Sequence, residues 1–134
     1  MPTRYEQLRE AIRYLAAPAP EQIAHLDELM RSVTGGGSAA AFGNDELALS
    51  LDDLFFASSD MIAHGELTNA EAAAIRTLDE ALTSISGGRN ASFWRREALR
   101  DDERWDGIRM LAASALAKLP EEVRAVGRSA KNVR

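Results

Sequence analysis

The sequence has no cysteine and only two histidines among its 134 residues. Without cysteine the chain has no disulfides, thiolate nucleophiles, iron–sulfur clusters or cysteine-ligated zinc sites. His25 and His64 fall in no recognisable Ser/His/Asp pattern for nucleophilic catalysis. On this basis we expect no catalytic residue, no metal site and no cofactor.

Residues that favour β-strands are sparse. Aromatic residues make up 6% of the chain, and valine, isoleucine and threonine are few, whereas alanine and leucine are abundant. Alanine and leucine have high helix propensity, and no segment alternates polar and apolar residues as a half-buried strand does. The prediction is an all-α fold, a single-domain bundle of five to six helices with mostly antiparallel neighbours.

Long apolar runs are also missing. No run approaches the 18 residues that a membrane-spanning helix needs, so no membrane span is expected. The N-terminal stretch MPTRYEQLREAIRYL carries charges throughout, which is not typical of a secretory signal peptide. We therefore expect a cytoplasmic protein.

Positive charge is scarce in the middle of the chain. Residues 21–87 contain twelve acidic and two basic side chains, within a chain of net charge −5. This balance disfavours nucleic-acid binding. The segment 94–109 places arginines beside Trp94 and Trp105, but its five basic and five acidic residues cancel. We expect Trp105 in the core and Trp94 at the core edge.

Apolar residues recur at helical spacing in six segments, which are separated by proline, glycine and polar residues. The predicted helices cover residues 3–16, 21–33, 45–64, 69–86, 91–100 and 102–119. They are expected to form one domain over residues 1–126. The basic segment 127–134 has no apolar stripe and is expected to be a flexible C-terminal tail.

Local signals mark several helix ends. Asn44 or Asp45 is expected to cap the third predicted helix, and Gly65 to end it in a left-handed conformation. Thr68 and Glu71 have the spacing of a capping box at the start of the fourth helix.

The predicted helix 45–64 has two apolar faces. At 100° per residue, a broad face collects the residues expected in the core, which are Leu47, Leu51, Leu54, Phe55, Ser58, Met61 and Ile62. On the opposite face Leu49, Phe56 and Ala63 recur every seven residues. The polar residues beside this stripe are Asp53, Asp60 and His64. A fully solvated face does not ordinarily carry a phenylalanine, so the stripe requires an explanation.

Three interpretations fit this second face. Another helix of the same chain covers it, it contacts a second protein, or its carboxylates and histidine form a chemical site. Asp60 and His64 are four residues apart near the end of the helix. Helix electrostatics alone explains that pair without catalysis.

The leading hypothesis is a non-enzymatic interaction module that presents an acidic helical face to a basic protein partner. The residues expected to bind the partner are Leu49, Asp53, Phe56, Asp60, Ala63 and His64. Phe56 would be the buried anchor, and the acidic charge would steer the partner. The chain is immunity- or antitoxin-like by charge and size only. One alternative is a homodimer through the Leu49/Phe56/Ala63 stripe.

A second alternative is a helical enzyme that binds a small molecule or metal through His64, Asp60 and the glycine-rich loop 35–43. The loop residues expected to bind a ligand are Gly35, Gly36, Gly37 and Ser38. The sequence GGGSAAA at 35–41 resembles, over seven residues, a segment of the formiminotetrahydrofolate cyclodeaminase family. That resemblance implies a loop near a folate site on a helical fold. A hinge between helix pairs is the structural alternative for these glycines.

Overall fold

The computed structural model describes residues 2–34, 43–86 and 88–121. These ranges form helices without a strand, which confirms the all-α prediction. The elements in chain order are α1 (Arg4–Ala16), α2 (Ala19–Thr34), α3 (Asp45–Phe55), α4 (Ser58–Ala63), α5 (Asn69–Ser84), a 3₁₀ segment (Gly88–Trp94), α6 (Ala98–Asp101) and α7 (Arg104–Ala117). None of these helices has the length and hydrophobicity needed to cross a membrane. The predicted tail 127–134 lies outside the described ranges.

The helix α1 packs most extensively against two other helices, α3 and α7. Tyr5, Leu8, Ile12 and Leu15 are all buried, as their spacing predicted. The helix packs against α3 and α7, and α5 packs against the same two helices. Each large apolar side chain buried in this way contributes about 1.5–3 kcal/mol to folding. The resulting hydrophobic cluster includes residues from each of the elements named above.

Two of the predicted helices are divided. The prediction of one helix over 45–64 is wrong, because α3 and α4 are separated by a turn at Phe56 and Ala57. The Ala57 amide bonds to the Leu54 carbonyl three residues back, and ψ of Ala57 is 6°, outside the α region. The predicted helix 91–100 is likewise replaced by the 3₁₀ segment and the short α6.

The predicted signals around α5 are confirmed. Thr68 and Glu71 form a capping box in which each side chain accepts a hydrogen bond from the other residue's backbone amide. Gly65 has φ of 74°, a left-handed conformation that glycine adopts without a steric cost. The Glu66 amide then bonds to the Met61 carbonyl at 2.8 Å, which closes the end of α4.

Three aromatic rings contact one another where the 3₁₀ segment packs against α7, namely Phe93 and Trp94 of the segment and Trp105 of the helix. Trp105 is fully buried and Trp94 is half-buried, as predicted. The Phe93 and Trp105 rings stack with centroids 4.4 Å apart, and Trp94 meets Phe93 edge to face at 4.7 Å. Both arrangements are favoured by the ring quadrupoles.

A buried asparagine links the start of α3 to the 3₁₀ segment. Asn44 was predicted as an N-cap, but its side chain makes no capping hydrogen bond. Instead its Nδ2 donates to the carbonyl oxygens of Phe93 and Arg95, and its backbone amide donates to that of Trp94. Asn44 occupies the N-cap position as predicted, but the expected side-chain cap is absent because its backbone is helical (φ −67°, ψ −18°) and not extended as in a capping residue. Nδ2 is therefore a tether between segments about fifty residues apart in sequence.

Substitution Asn44→Asp tests this tether. The carboxylate keeps the size of the amide but faces two carbonyl oxygens without a proton to donate. We expect a loss of at least about 2 kcal/mol in the free energy of unfolding, because buried polar groups are left unpaired. Urea unfolding followed by circular dichroism at neutral pH measures it.

The matched control is Asn69→Asp, at an exposed position in the first turn of α5. An acidic residue at a helix start is neutral or slightly stabilising. Equal unfolding free energies for the two variants would contradict the structural role of Asn44.

Candidate functional site

The second face predicted for residues 45–64 is exposed. Phe56 is 93% exposed and Leu49 is 47% exposed, and they are among the few large apolar side chains at the surface. Asp53, Ala63 and His64 are also exposed. The interpretation that another helix of the chain covers this face is therefore wrong for these residues.

The turn at residues 56–57 changes how the predicted stripe is arranged. Phe56 continues the geometry of α3, with φ of −55° and ψ of −31°. Ala63 belongs to the separate helix α4. Leu49 and Phe56 therefore lie on one face of α3. Phe56 and Ala63 are also seven residues apart, but the turn lies between them, so this spacing no longer places them on a common face.

Asp60 and His64 belong to a network within the chain. The Arg4 guanidinium bridges Asp60 at 2.8 Å and Glu66 at 2.7 Å. These hydrogen bonds from Arg4 lower the pKa of both carboxyl groups. The Nδ1 of His64 lies 2.8 Å from the Asp60 backbone oxygen. The charge of Asp60 is thus already partnered and ties α1 to α4.

Asp53 differs from Asp60 in this respect. It is exposed on α3, and no side chain in the described ranges forms an ion pair or hydrogen bond with its carboxylate. Of the two acidic residues predicted to contact a partner, Asp53 therefore has an unpaired carboxylate, whereas the carboxylate of Asp60 is paired with Arg4.

A groove runs beside Leu49, between α3, α5 and the 3₁₀ segment. Its volume is about 580 Å³. The apolar side chains that line it are Ala48, Leu49, Leu82, Ala91 and Trp94. The polar residues that line it are Asp45, Asp52, Asp79, Thr83 and Ser86. The groove is therefore apolar between carboxylates, and none of its ionisable residues is basic.

The carboxylates of the groove come from two helices. Asp45 and Asp52 are seven residues apart on α3, about 10 Å along the helix axis at 1.5 Å per residue. Asp79 faces them from α5. Burial raises the pKa of Asp79, and the negative charge of Asp52 raises it further. No ion pair or side-chain hydrogen bond from the described ranges compensates the Asp79 carboxylate. A cation in the groove would do so.

One end of the groove is formed by the tethered 3₁₀ segment. The indole Nε1 of Trp94 donates to the Ile85 carbonyl at 3.1 Å, which fixes the ring against the end of α5. Gly43 lies so close to this segment that a Cβ atom there would be 2.9 Å from the Trp94 carbonyl oxygen. Glycine is therefore required at position 43 for this backbone approach.

A further contact between α3 and α5 lies outside the residues that line the groove. The Arg76 guanidinium lies 5.7 Å from the centre of the Phe55 ring. Phe56 follows directly and points away from the core. At 100° per residue, positions 45, 49, 52 and 56 fall within about 60° of one another, so groove and exposed phenylalanine lie on the same side of α3.

Sequence reasoning found Leu49 and Phe56 but missed the groove. The helical spacing of Asp45, Leu49 and Asp52 could have predicted that these residues lie on one side of α3. The α5 side and Trp94 come from positions 27 or more residues further along, and periodicity does not predict which helices become neighbours.

The sites proposed for ligands have no support from geometry. Gly35, Gly36, Gly37 and Ser38 lie outside the described residues. Within the ranges that are described, no group of three or more His, Asp or Glu side chains is arranged to hold a metal ion. Comparisons with protein-family models, with curated proteins and with solved structures found no match.

Substitution Arg4→Gln tests whether Asp60 is structural. The variant loses both ion pairs, so its melting temperature at pH 7 should be lower than that of the wild type. Lowered carboxyl pKa values stabilise the fold above the ordinary pKa values of Asp and Glu, about 4, and this contribution disappears as the pH falls through the lowered values. The difference in melting temperature should therefore shrink below about pH 4.

Thermal unfolding across this pH range is the measurement, with Arg100→Gln as control. Arg100 is exposed and has no ion pair with the described residues. A pH-independent difference for Arg4→Gln would show that the two carboxylates do not stabilise the fold through Arg4.

Proposed function

We propose that the chain is a non-enzymatic interaction module that binds a basic protein partner through the acidic side of α3. The observation that carries this proposal is the 93% exposure of Phe56 beside unpaired carboxylates. Monomeric proteins routinely expose single apolar residues, but here Phe56 lies on the same side of α3 as Leu49 and an apolar groove, which makes a larger apolar surface.

Phe56 has the properties of an interface anchor. It projects from the end of a helix that is fixed to the core through Leu47 and Leu51. Burial of a phenylalanine contributes about 1.5–3 kcal/mol, and a rigid helical position lowers the entropy cost of ordering it in a complex. Aromatic residues in the centre of an interface commonly dominate its affinity.

The charge around the anchor favours a basic partner. Asp52 and Asp53 are both exposed and free of ion pairs with the described residues, and they belong to the acidic segment 21–87. Opposite charge on a partner would speed association and disfavour acidic competitors. By charge and size, this is the manner in which an immunity or antitoxin protein acts.

A homodimer through the same surface is the second candidate, and the exposed Leu49 and Phe56 favour it. In a two-fold dimer the same patch meets its copy, which would bring the carboxylates of Asp52 and Asp53 near their equivalents. Like charges across an interface are unfavourable. A basic partner therefore complements the charge of this surface better than a second copy of the chain does.

An enzyme that uses Asp60 and His64 has less support. The Arg4 bridge accounts for Asp60, and the helix geometry accounts for the contact of His64 with it. Neither residue borders the groove.

Affinity capture from a lysate of the source cells tests the proposal. The baits are the wild type, Phe56→Ser/Asp53→Lys and a control, Met110→Ser/Asp101→Lys. The control changes the same residue classes, since Met110 is 71% exposed on α7 and Asp101 is exposed. We expect a basic protein on the wild-type and control baits, absent from the Phe56/Asp53 variant and released as ionic strength rises.

Circular dichroism of each bait establishes that it is folded. The purified partner should then bind the wild type directly and the Phe56/Asp53 variant much more weakly. The proposal is wrong if the three baits retain the same proteins, or if nothing basic is retained.

A further inference from the structure

We infer that the groove between α3, α5 and the 3₁₀ segment receives one face of a cationic amphipathic helix, with basic side chains opposite Asp45, Asp52 and Asp79 and apolar side chains between them. This inference rests on the proposed function and names the element of the partner that the acidic surface takes.

The spacing of the groove matches a helix. Asp45 and Asp52 are two helical turns apart, with Leu49 between them. A helix lying along the groove repeats its side chains over the same distance. Basic residues at positions i and i+7 would then meet the two carboxylates, and apolar residues at i+3 and i+4 would meet Leu49, Leu82 and Trp94.

The size of the groove indicates how the helix enters. A helix with its side chains is about 10–12 Å wide, so a groove of about 580 Å³ holds the side chains of one face and not the whole helix. A mode in which an apolar helix face lies in a groove is common in peptide recognition.

The walls of the groove disfavour an extended peptide. Extended segments are typically bound by addition to the edge of a sheet, where main-chain groups form hydrogen bonds. The groove is bounded by two α-helices and a 3₁₀ segment, and residues 2–34, 43–86 and 88–121 include no strand. A helical occupant forms its own main-chain hydrogen bonds and requires none from these walls.

The charge of the groove favours a cationic helix over a neutral one. The Asp79 carboxylate is partly desolvated and has no ion pair with a described residue, and the negative charge of Asp52 raises its pKa further. A lysine or arginine entering the groove would relieve both effects. Leu49 and the half-buried Trp94 provide the apolar surface on which the stem of that side chain can lie.

Two synthetic peptides of equal composition test the inference. The first repeats Lys-Ala-Gln-Leu-Leu-Gln-Ala three times, which places lysines and leucines on one helical face. The second repeats Gln-Ala-Lys-Leu-Leu-Gln-Ala three times, which moves the lysines to the opposite face. Neither contains tryptophan, so binding is followed by the emission of Trp94, assigned with a Trp94→Phe variant, and by NMR shifts of α3 and α5 amides.

The wild type should bind the first peptide about fivefold or more tightly than the second, since exposed ion pairs contribute modestly. Asp52→Asn/Asp79→Asn should reduce that preference strongly, because it removes two of the three carboxylates of the groove and leaves only Asp45. This variant is expected to remain folded, because it removes a carboxylate whose charge is disfavoured by burial. Leu49→Ser should weaken the binding of both peptides, because it removes an apolar side chain from the groove. The matched control Asp101→Asn/Glu103→Gln removes two exposed acidic charges outside the groove and should retain the preference.

Besides a failure of both peptides to bind, three results would overturn the inference. The peptides bind equally well, which would indicate an apolar ligand without charge selection. The preference is undiminished in Asp52→Asn/Asp79→Asn, which would place the contact elsewhere. The protein alone forms a concentration-dependent dimer that Leu49→Ser dissociates, which would identify a second copy as the occupant.

Failure here is distinguishable from failure of the proposed function. If neither peptide binds but capture of a basic protein depends on Phe56 and Asp53, the groove assignment is wrong and the interaction module stands. If neither peptide binds and no basic protein is captured, both are wrong.

Discussion

The hydrogen bonds of Asn44 to the carbonyls of Phe93, Trp94 and Arg95 fix the candidate binding surface. They join the start of α3 to the segment that carries Trp94, and the Trp94 indole in turn bonds to the end of α5. Trp105 strengthens the same junction, because its Nε1 donates to the Phe93 carbonyl at 2.9 Å. These bonds hold the 3₁₀ segment in place beside the two helices of the groove, whose separation is also set by the direct packing of α3 against α5.

The acidic residues of the chain divide into two groups. Glu66 and Asp60 are both paired with Arg4, and the Arg4–Asp60 ion pair joins α1 to α4. Asp52, Asp53 and Asp79 have no such partner in the described ranges, and Asp79 carries a desolvation cost. Stability alone would favour pairing or removing that charge, and its position beside an apolar groove supports the proposed binding of a basic partner.

A feature could be predicted when the residues that form it are close together in the sequence, and not when they are far apart. The stripe through Tyr5 and Leu15 and the capping box at Thr68 were readable because local spacing determines them. The turn at residues 56–57 was not, because neither glycine nor proline marks it. The exposure of Phe56 and the junction of Asn44 with Phe93 depend on which helices become neighbours, and a single sequence does not encode this in any local pattern.

Photo-crosslinking in the source cells tests the central claim most directly. A photoreactive phenylalanine analogue replaces Phe56, whose exposed ring tolerates the change, and the same analogue at Met110 on α7 is the comparison. The account predicts an adduct with a basic protein from position 56 that is absent from position 110. An adduct from position 110 alone, or adducts at position 56 only with a second copy of the chain, would contradict it.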